Sequence, residues 1–190
     1  VFFNSPTNEI LGTGITSFNI LNITVNGILT SDSLTGKVFV VGNWTNNGDF
    51  LHNGSDITFD GTTTITGNAG SVVTNFNTVI INPTKTLTLH GTETDFDGNI
   101  TNNGTLAHNS GLVVFLGNGL GNTQNINGTP ATPITLNSVS VDNLSGNILL
   151  ERPLTINTQL TLTNGNITTT ATNILTLIEA ALSTSGSALS

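Results

Sequence analysis

Apolar residues recur at every second position in short runs along this chain. Phe76-Asn77-Thr78-Val79-Ile80-Ile81-Asn82, Thr86-Leu87-Thr88-Leu89-His90 and Leu160-Thr161-Leu162-Thr163 all alternate. A period of two marks a strand with one face buried and one face wet. The runs are punctuated by Asn26-Gly27, Asn47-Gly48, Asn53-Gly54, Gly98-Asn99, Asn103-Gly104, Asn127-Gly128 and Asn164-Gly165. Such pairs tolerate positive φ. In a hairpin fold they would be type I′ turns; in a solenoid they are corners between faces.

The runs belong to a repeat. Gly42-Asn43-Trp44-Thr45-Asn46-Asn47-Gly48 returns 56 residues later as Gly98-Asn99-Ile100-Thr101-Asn102-Asn103-Gly104. The match continues through His52-Asn53 and His108-Asn109, and Phe3, Phe59 and Phe115 keep the same spacing. The units start near residues 1, 57 and 113. One apolar position can be followed through Phe3, Phe18, Val40, Phe59, Phe76, Phe96 and Phe115, then Leu136, Ile156 and Leu175. Its steps scatter around 19 residues, and three such steps approximate the 56-residue unit. A step of that length suits one coil of a β-helix.

The expected fold is therefore all-β: a single-stranded, right-handed parallel β-helix of about ten coils of roughly 19 residues, one solenoid segment over 1–190. At about 4.8 Å per coil the rod would be roughly 48 Å long. Phe3, Phe18, Phe59, Phe76, Phe96 and Phe115 are expected to form its internal ladder. Gly117 to Pro133 reads as an insertion bulging from one corner. No basic-then-apolar leader opens the chain, and residue 1 falls inside a repeat, so the chain reads as a piece of a larger repetitive protein.

Composition sharpens this picture. Thr (35) and Asn (28) supply a third of the 190 residues, and charged residues only 7%. Thr suits strands and Asn suits turns. The mean hydropathy of +0.16 argues against disorder. A net charge of −8, from 11 acids and 3 bases, leaves no footprint for nucleic acid or anionic lipid. No apolar run reaches the length of a membrane span. The absence of Cys removes disulfides and thiolate metal sites.

The strand Phe76 to Asn82, the Thr86-Leu87-Thr88-Leu89 run and the Gly98 to Thr105 turn resemble the β-helical repeats of very large surface proteins. Those proteins belong to bacteria that use the type IX secretion system. Coil length is also similar to that of filamentous haemagglutinin-type adhesins. The resemblance covers Val1 to about Ala180. It implies export across the outer membrane, contact with the secretion machinery on the way, and an extracellular location at the cell surface. Its partners would be neighbouring repeats of the same polypeptide and surface glycans or other cell-surface proteins. Asp32-Ser33-Leu34 is similar to a short O-glycosylation motif of such bacteria.

Candidate chemistry is sparse. Asp95 and Asp97 flank the inward Phe96, so both carboxylates share an outer face. Paired oxygens there could hold Ca²⁺, or act as acid and base on a polysaccharide. Their counterparts one repeat earlier are Phe39 and Val41, so the pair is local. His52 and His108 occupy equivalent positions without recurring acidic partners and read as repeated strand-end residues. Trp44, equivalent to Ile100, reads as core or corner packing. An ice-binding face would need Thr-x-Thr at a fixed place in every coil, and here the pattern comes and goes. The bases Lys37, Lys85 and Arg152 lie far apart. The reading is thus a structural or adhesive rod, not an enzyme. Clustering of Asp60, Glu93, Asp95 and Asp97 in one groove would favour a carbohydrate-active protein instead.

Overall fold

A computed structural model describes residues 1–11, 15–31, 38–67, 73–117, 121–129, 132–178 and 182–185. Among them every regular element is a strand, and every ladder is parallel. Strands follow one another around three faces, and each pairs with the strand one coil away. This is a parallel β-solenoid of about seven turns of ~21 residues.

Face A carries Phe2–Phe3, Leu21–Ile23, Trp44–Asn46, Thr62–Gly67, Thr86–Thr88 and Thr105–Ala107 as one six-stranded sheet. Face B begins with Asn8–Ile10, Ile28–Ser31 and Asp49–Leu51. It resumes with Thr74–Phe76, Glu93–Phe96 and Leu112–Phe115. Face C carries Thr16–Phe18, Val38–Val40, Asp56–Phe59, Thr78–Ile81, Ile100–Asn102 and Thr123–Asn127. The long strands Ile134–Leu150 and Leu154–Thr168 each wrap round the coil, continuing faces A, B and C in turn, with bulges between Leu136 and Ser138 and on either side of Asp142.

The coils are fewer and longer than the expected ten of 19 residues. Phe96 pairs with Phe115, a step of 19, but Phe115 pairs with Val141, a step of 26. The predicted insertion after Gly117 lengthens that coil alone; earlier coils already take 22 residues from Phe18 to Val40 and 24 from Thr62 to Thr86. The expected step was short because it passed between faces, as from Phe59 to Phe76, which are not register partners. Residues 118–120 and 130–131 of that insertion lie outside the described residues, as do Asp32-Ser33-Leu34 and Lys37.

The ladder of rings also takes a different form. Phe18, Val40 and Phe59 are register partners on face C, while Phe76, Phe96 and Phe115 are register partners on face B. Phe3 belongs to face A and pairs with Ile23. Phe59 stacks in register with Ile81, not with Phe76. The rings still touch across the corner, with Phe59 and Phe76 centroids 5.9 Å apart, Phe76 and Phe96 6.1 Å, and Phe96 and Phe115 5.9 Å. Trp44 is fully buried against Phe50, Phe59 and Phe76.

The cause is a mismatch of periods. Phe2–Phe3, Asp56–Phe59 and Leu112–Phe115 are the first, ninth and seventeenth strands in chain order. The 56-residue repeat thus spans eight strands with their corners. Three strands make a coil, so eight strands fall one face short of three coils. Each repeat therefore starts one face earlier than the last: A, then C, then B.

The recurring Asn-Asn-Gly corner has its own reason. Asn46 and Asn102 are buried, and their Oδ1 atoms accept from the backbone N–H of Gly48 (3.2 Å) and Gly104 (3.1 Å). A Cβ on Gly48 would sit 2.1 Å from the Gly27 oxygen, and one on Gly104 2.3 Å from the Lys85 oxygen. These glycines admit the neighbouring coil. Positive φ, which Asn-Gly pairs tolerate, occurs at Asn26, Asn53, Gly54, Gly128 and Gly165, and not at this corner.

Candidate functional site

The outer surface of face B gathers the chain's most concentrated chemistry. Alternation along Glu93–Phe96 turns Thr94 and Phe96 inward and Glu93, Asp95 and then Asp97 outward. Asn75 is the register partner of Asp95 on the coil below, and Val114 on the coil above. One carboxylate oxygen of Asp97 serves two donors: His52 Nε2 at 3.0 Å and Asn75 Nδ2 at 3.1 Å.

The ring of His52 is fixed from both sides. Its Nδ1 accepts from Gly54 N–H at 2.9 Å, so the neutral ring carries its proton on Nε2 and donates it to Asp97. His108 repeats half of this arrangement, its Nδ1 accepting from Ser110 N–H at 2.9 Å. His90 does the same with Thr92 N–H at 3.2 Å. All three histidines cap the turn two residues on, which accounts for their recurrence. The carboxylate is particular to His52, and sequence reading missed it because Asp97 lies 45 residues away.

Asp95 holds its proton to unusually high pH. Burial is the main cause, followed by the charges of Glu93 and Asp97 and a hydrogen bond with Glu93, and together they raise its pKa to about 7. Asp95 Oδ1 and Asn75 Oδ1 are both buried without a donor.

Of the four carboxylates whose clustering was to be decided, three share this file. Asp60 does not: it sits at the corner between faces C and A, where its Oδ1 accepts from Asn82 Nδ2 at 3.0 Å. Among the described residues no group of three or more His, Asp or Glu is placed to hold a metal ion. The Ca²⁺ candidates Asp95 and Asp97 differ in state, the first favouring its proton and the second occupied by His52 and Asn75. Arg152, read as a scattered base, is buried in a corner. Its guanidinium donates to the carbonyls of Asn102 and Thr132, both at 2.6 Å, and burial lowers its pKa.

Two hollows flank the His52–Asp97 bridge. One, of about 350 Å³, includes Asp49, Leu51, His52, Val73 and Asn75 in its wall. The other, of about 320 Å³, includes Asn77, Thr78, Asp97, Asn99, Thr123 and Gln124. Behind the second, buried Gln124 donates to the carbonyls of Phe96 and Gly98, both at 2.9 Å, and accepts from buried Asn143 at 3.1 Å.

Face A aligns threonines in register: Thr62, Thr86 and Thr105 form one column, and Thr135, Thr155 and Thr176 another. The companion column Thr64, Thr88 ends at Ala107. The face therefore carries no uninterrupted double row of hydroxyls among the described residues.

No protein-family model, curated protein or solved structure matches this chain. The fold itself defines the class, a parallel β-solenoid with a polar, acid-bearing outer face. Among the described residues no helix is long and apolar enough to cross a membrane.

Proposed function

We propose that this chain is a structural and adhesive module of a secreted bacterial cell-surface protein, a stiff spacer that carries binding surfaces away from the cell. The observation that carries this reading is the ladder of face C. It runs without a break from Thr16–Phe18 through five further strands to 147–150 and 166–168. At about 4.8 Å per step those eight strands span roughly 34 Å. Each coil buries apolar side chains against the next, so bending the axis would open many contacts together. The low charge, the lack of Cys and the resemblance to bacterial surface repeats supply the cellular setting.

Solution scattering tests the rod, which should give a cross-section of one coil and a length set by the number of coils. Antibody against this segment should label intact cells of the source bacterium. A globular scattering profile, or labelling only after permeabilisation, would overturn the reading.

A second reading, polysaccharide cleavage, is favoured by Asp95. A carboxyl that keeps its proton near neutrality beside ionised neighbours has the character of a general acid. Release of reducing ends from a polysaccharide, lost in Asp95→Asn, would establish it. Absence of release across neutral and acidic polysaccharides would leave the spacer alone.

A further inference from the structure

We propose that the two hollows on either side of the His52–Asp97 bridge form one groove that binds a neutral, hydroxyl-rich glycan chain lying along the rod axis. The proposal deepens the adhesive reading and rests on it only for where such a glycan would be met.

The first argument is continuity. His52 and Asn75 line one hollow, Asp97 lines the other, and both side chains donate to Asp97. The bridge is thus a shared rim, and a ligand crossing it would touch both hollows. From the coil of His52 to that of Gln124 is three coil steps, roughly 14 Å along the axis. That favours an extended chain over a single sugar ring.

The second argument is the donor and acceptor set. Asn77 Nδ2 is engaged by the Gly54 carbonyl at 2.7 Å, and Asn99 Oδ1 by the Asn125 N–H at 2.8 Å. Those bonds leave Asn77 an amide oxygen and Asn99 an amide NH₂ for a ligand. Thr78 and Thr123 add hydroxyls, and Thr123 is held by Asn147 Oδ1 at 2.7 Å. Acceptors and donors side by side suit hydroxyl groups, which need both. Among the described residues the only charge in the second hollow is the carboxylate of Asp97, and no Lys or Arg lines either hollow. An anionic chain would therefore be repelled, and a neutral one accepted.

The third argument is shape and rigidity. Leu51 and Val73 are exposed at 48% and 42%, and both border the first hollow. Exposed aliphatics beside polar groups match the mixed C–H and O–H surface of a sugar. The side chains Asn75, Asn77, Asn99, Thr123 and Gln124 are all pinned across coils, so little ordering is lost on binding.

The test is calorimetric titration of the folded protein with glucose, N-acetylglucosamine, their linear tetrasaccharides and trigalacturonate. One of the two tetrasaccharides should bind saturably and at least about ten-fold more tightly than its monosaccharide, and trigalacturonate should not bind. Thr78→Val and Thr123→Val, which keep the β-branched shape, and Leu51→Glu, at an exposed position, should each weaken that binding about ten-fold with the melting temperature kept. Whichever of the three remains folded serves. The groove is overturned if neither tetrasaccharide binds, if chain length makes no difference, if trigalacturonate binds as well, or if the folded variants bind like the parent. A rod by scattering that binds no glycan would overturn the groove and leave the spacer standing.

Discussion

His52 Nε2 donates to Asp97 Oδ2 across 3.0 Å, although the two residues stand 45 positions apart and two coils from one another. Asn75, on the coil between them, donates to the same oxygen. Three successive coils are thereby tied on their outer surface by side chains as well as by backbone. The tie is partly exposed, with 17% and 18% of the two side chains open to water, so its strength is that of a screened hydrogen bond.

Replacing His52 by Ala removes both the turn cap on Gly54 and the bond to Asp97. His108→Ala removes the equivalent cap on Ser110 and only a long, 3.5 Å contact with Asn157 Nδ2 in place of the Asp97 bond. His52→Ala should cost about 1–2 kcal/mol and His108→Ala roughly half of that. Urea unfolding of the two variants checks the order; equal losses would show that the Asp97 bond contributes nothing.

Asp95 makes stability depend on pH. Its pKa is about 7 in the fold against 3.8 for the free group. Between those values the folded chain holds a proton that the unfolded chain has released. Stability therefore falls as pH rises through that window and is lowest, as far as this group is concerned, above it. The urea midpoint should drop between about pH 4 and pH 7, and Asp95→Asn should flatten that part of the curve. An unchanged slope in Asp95→Asn would assign the dependence to other groups.

Arg152 is a buried cation held by carbonyls and not by a carboxylate, at 3% exposure. Arg152→Ala leaves the Asn102 and Thr132 oxygens without these donors and should destabilise the chain by about 2–4 kcal/mol. Arg152→Lys should recover only part, since a single ammonium lacks the planar fork that reaches two carbonyls. Thermal unfolding of both variants decides.

Phe96 is fully buried between Phe76 and Phe115, whereas Phe2 is 72% exposed. Phe96→Ala should cost about 3–5 kcal/mol, and Phe2→Ala no more than about 0.5 kcal/mol. A similar loss at both positions would contradict the internal ring stack.

The alternation in Thr78–Ile81 and Thr86–Thr88 announced strands, and the apolar residues expected to face inward do so, as Val79, Ile81 and Leu87 show. Of the six rings expected in the ladder, Phe18, Phe59, Phe76, Phe96 and Phe115 are buried and Phe3 is partly buried against them. Their division among faces was not readable, because nothing local to Phe59 or Phe76 says which face a strand occupies. The outward pair Asp95 and Asp97 was legible as a period of two along one strand; that Glu93 joins it and Asp60 does not was not. Its partners were not, since His52 and Asn75 reach Asp97 only through the stacking of coils.

Local chemistry thus determined the strands, the corners and the parallel solenoid, since alternating β-branched residues and Asn-Gly corners need only their neighbours in sequence to act. Tertiary structure decided the register. The 56-residue repeat holds eight strands while a coil holds three, and only the packing of one coil on the next sets where a corner absorbs extra residues. That packing assigned Phe59 to one face and Phe96 to another. It also brought His52, Asn75 and Asp97 together, because a hydrogen bond between coils depends on distance in space and not on separation along the chain.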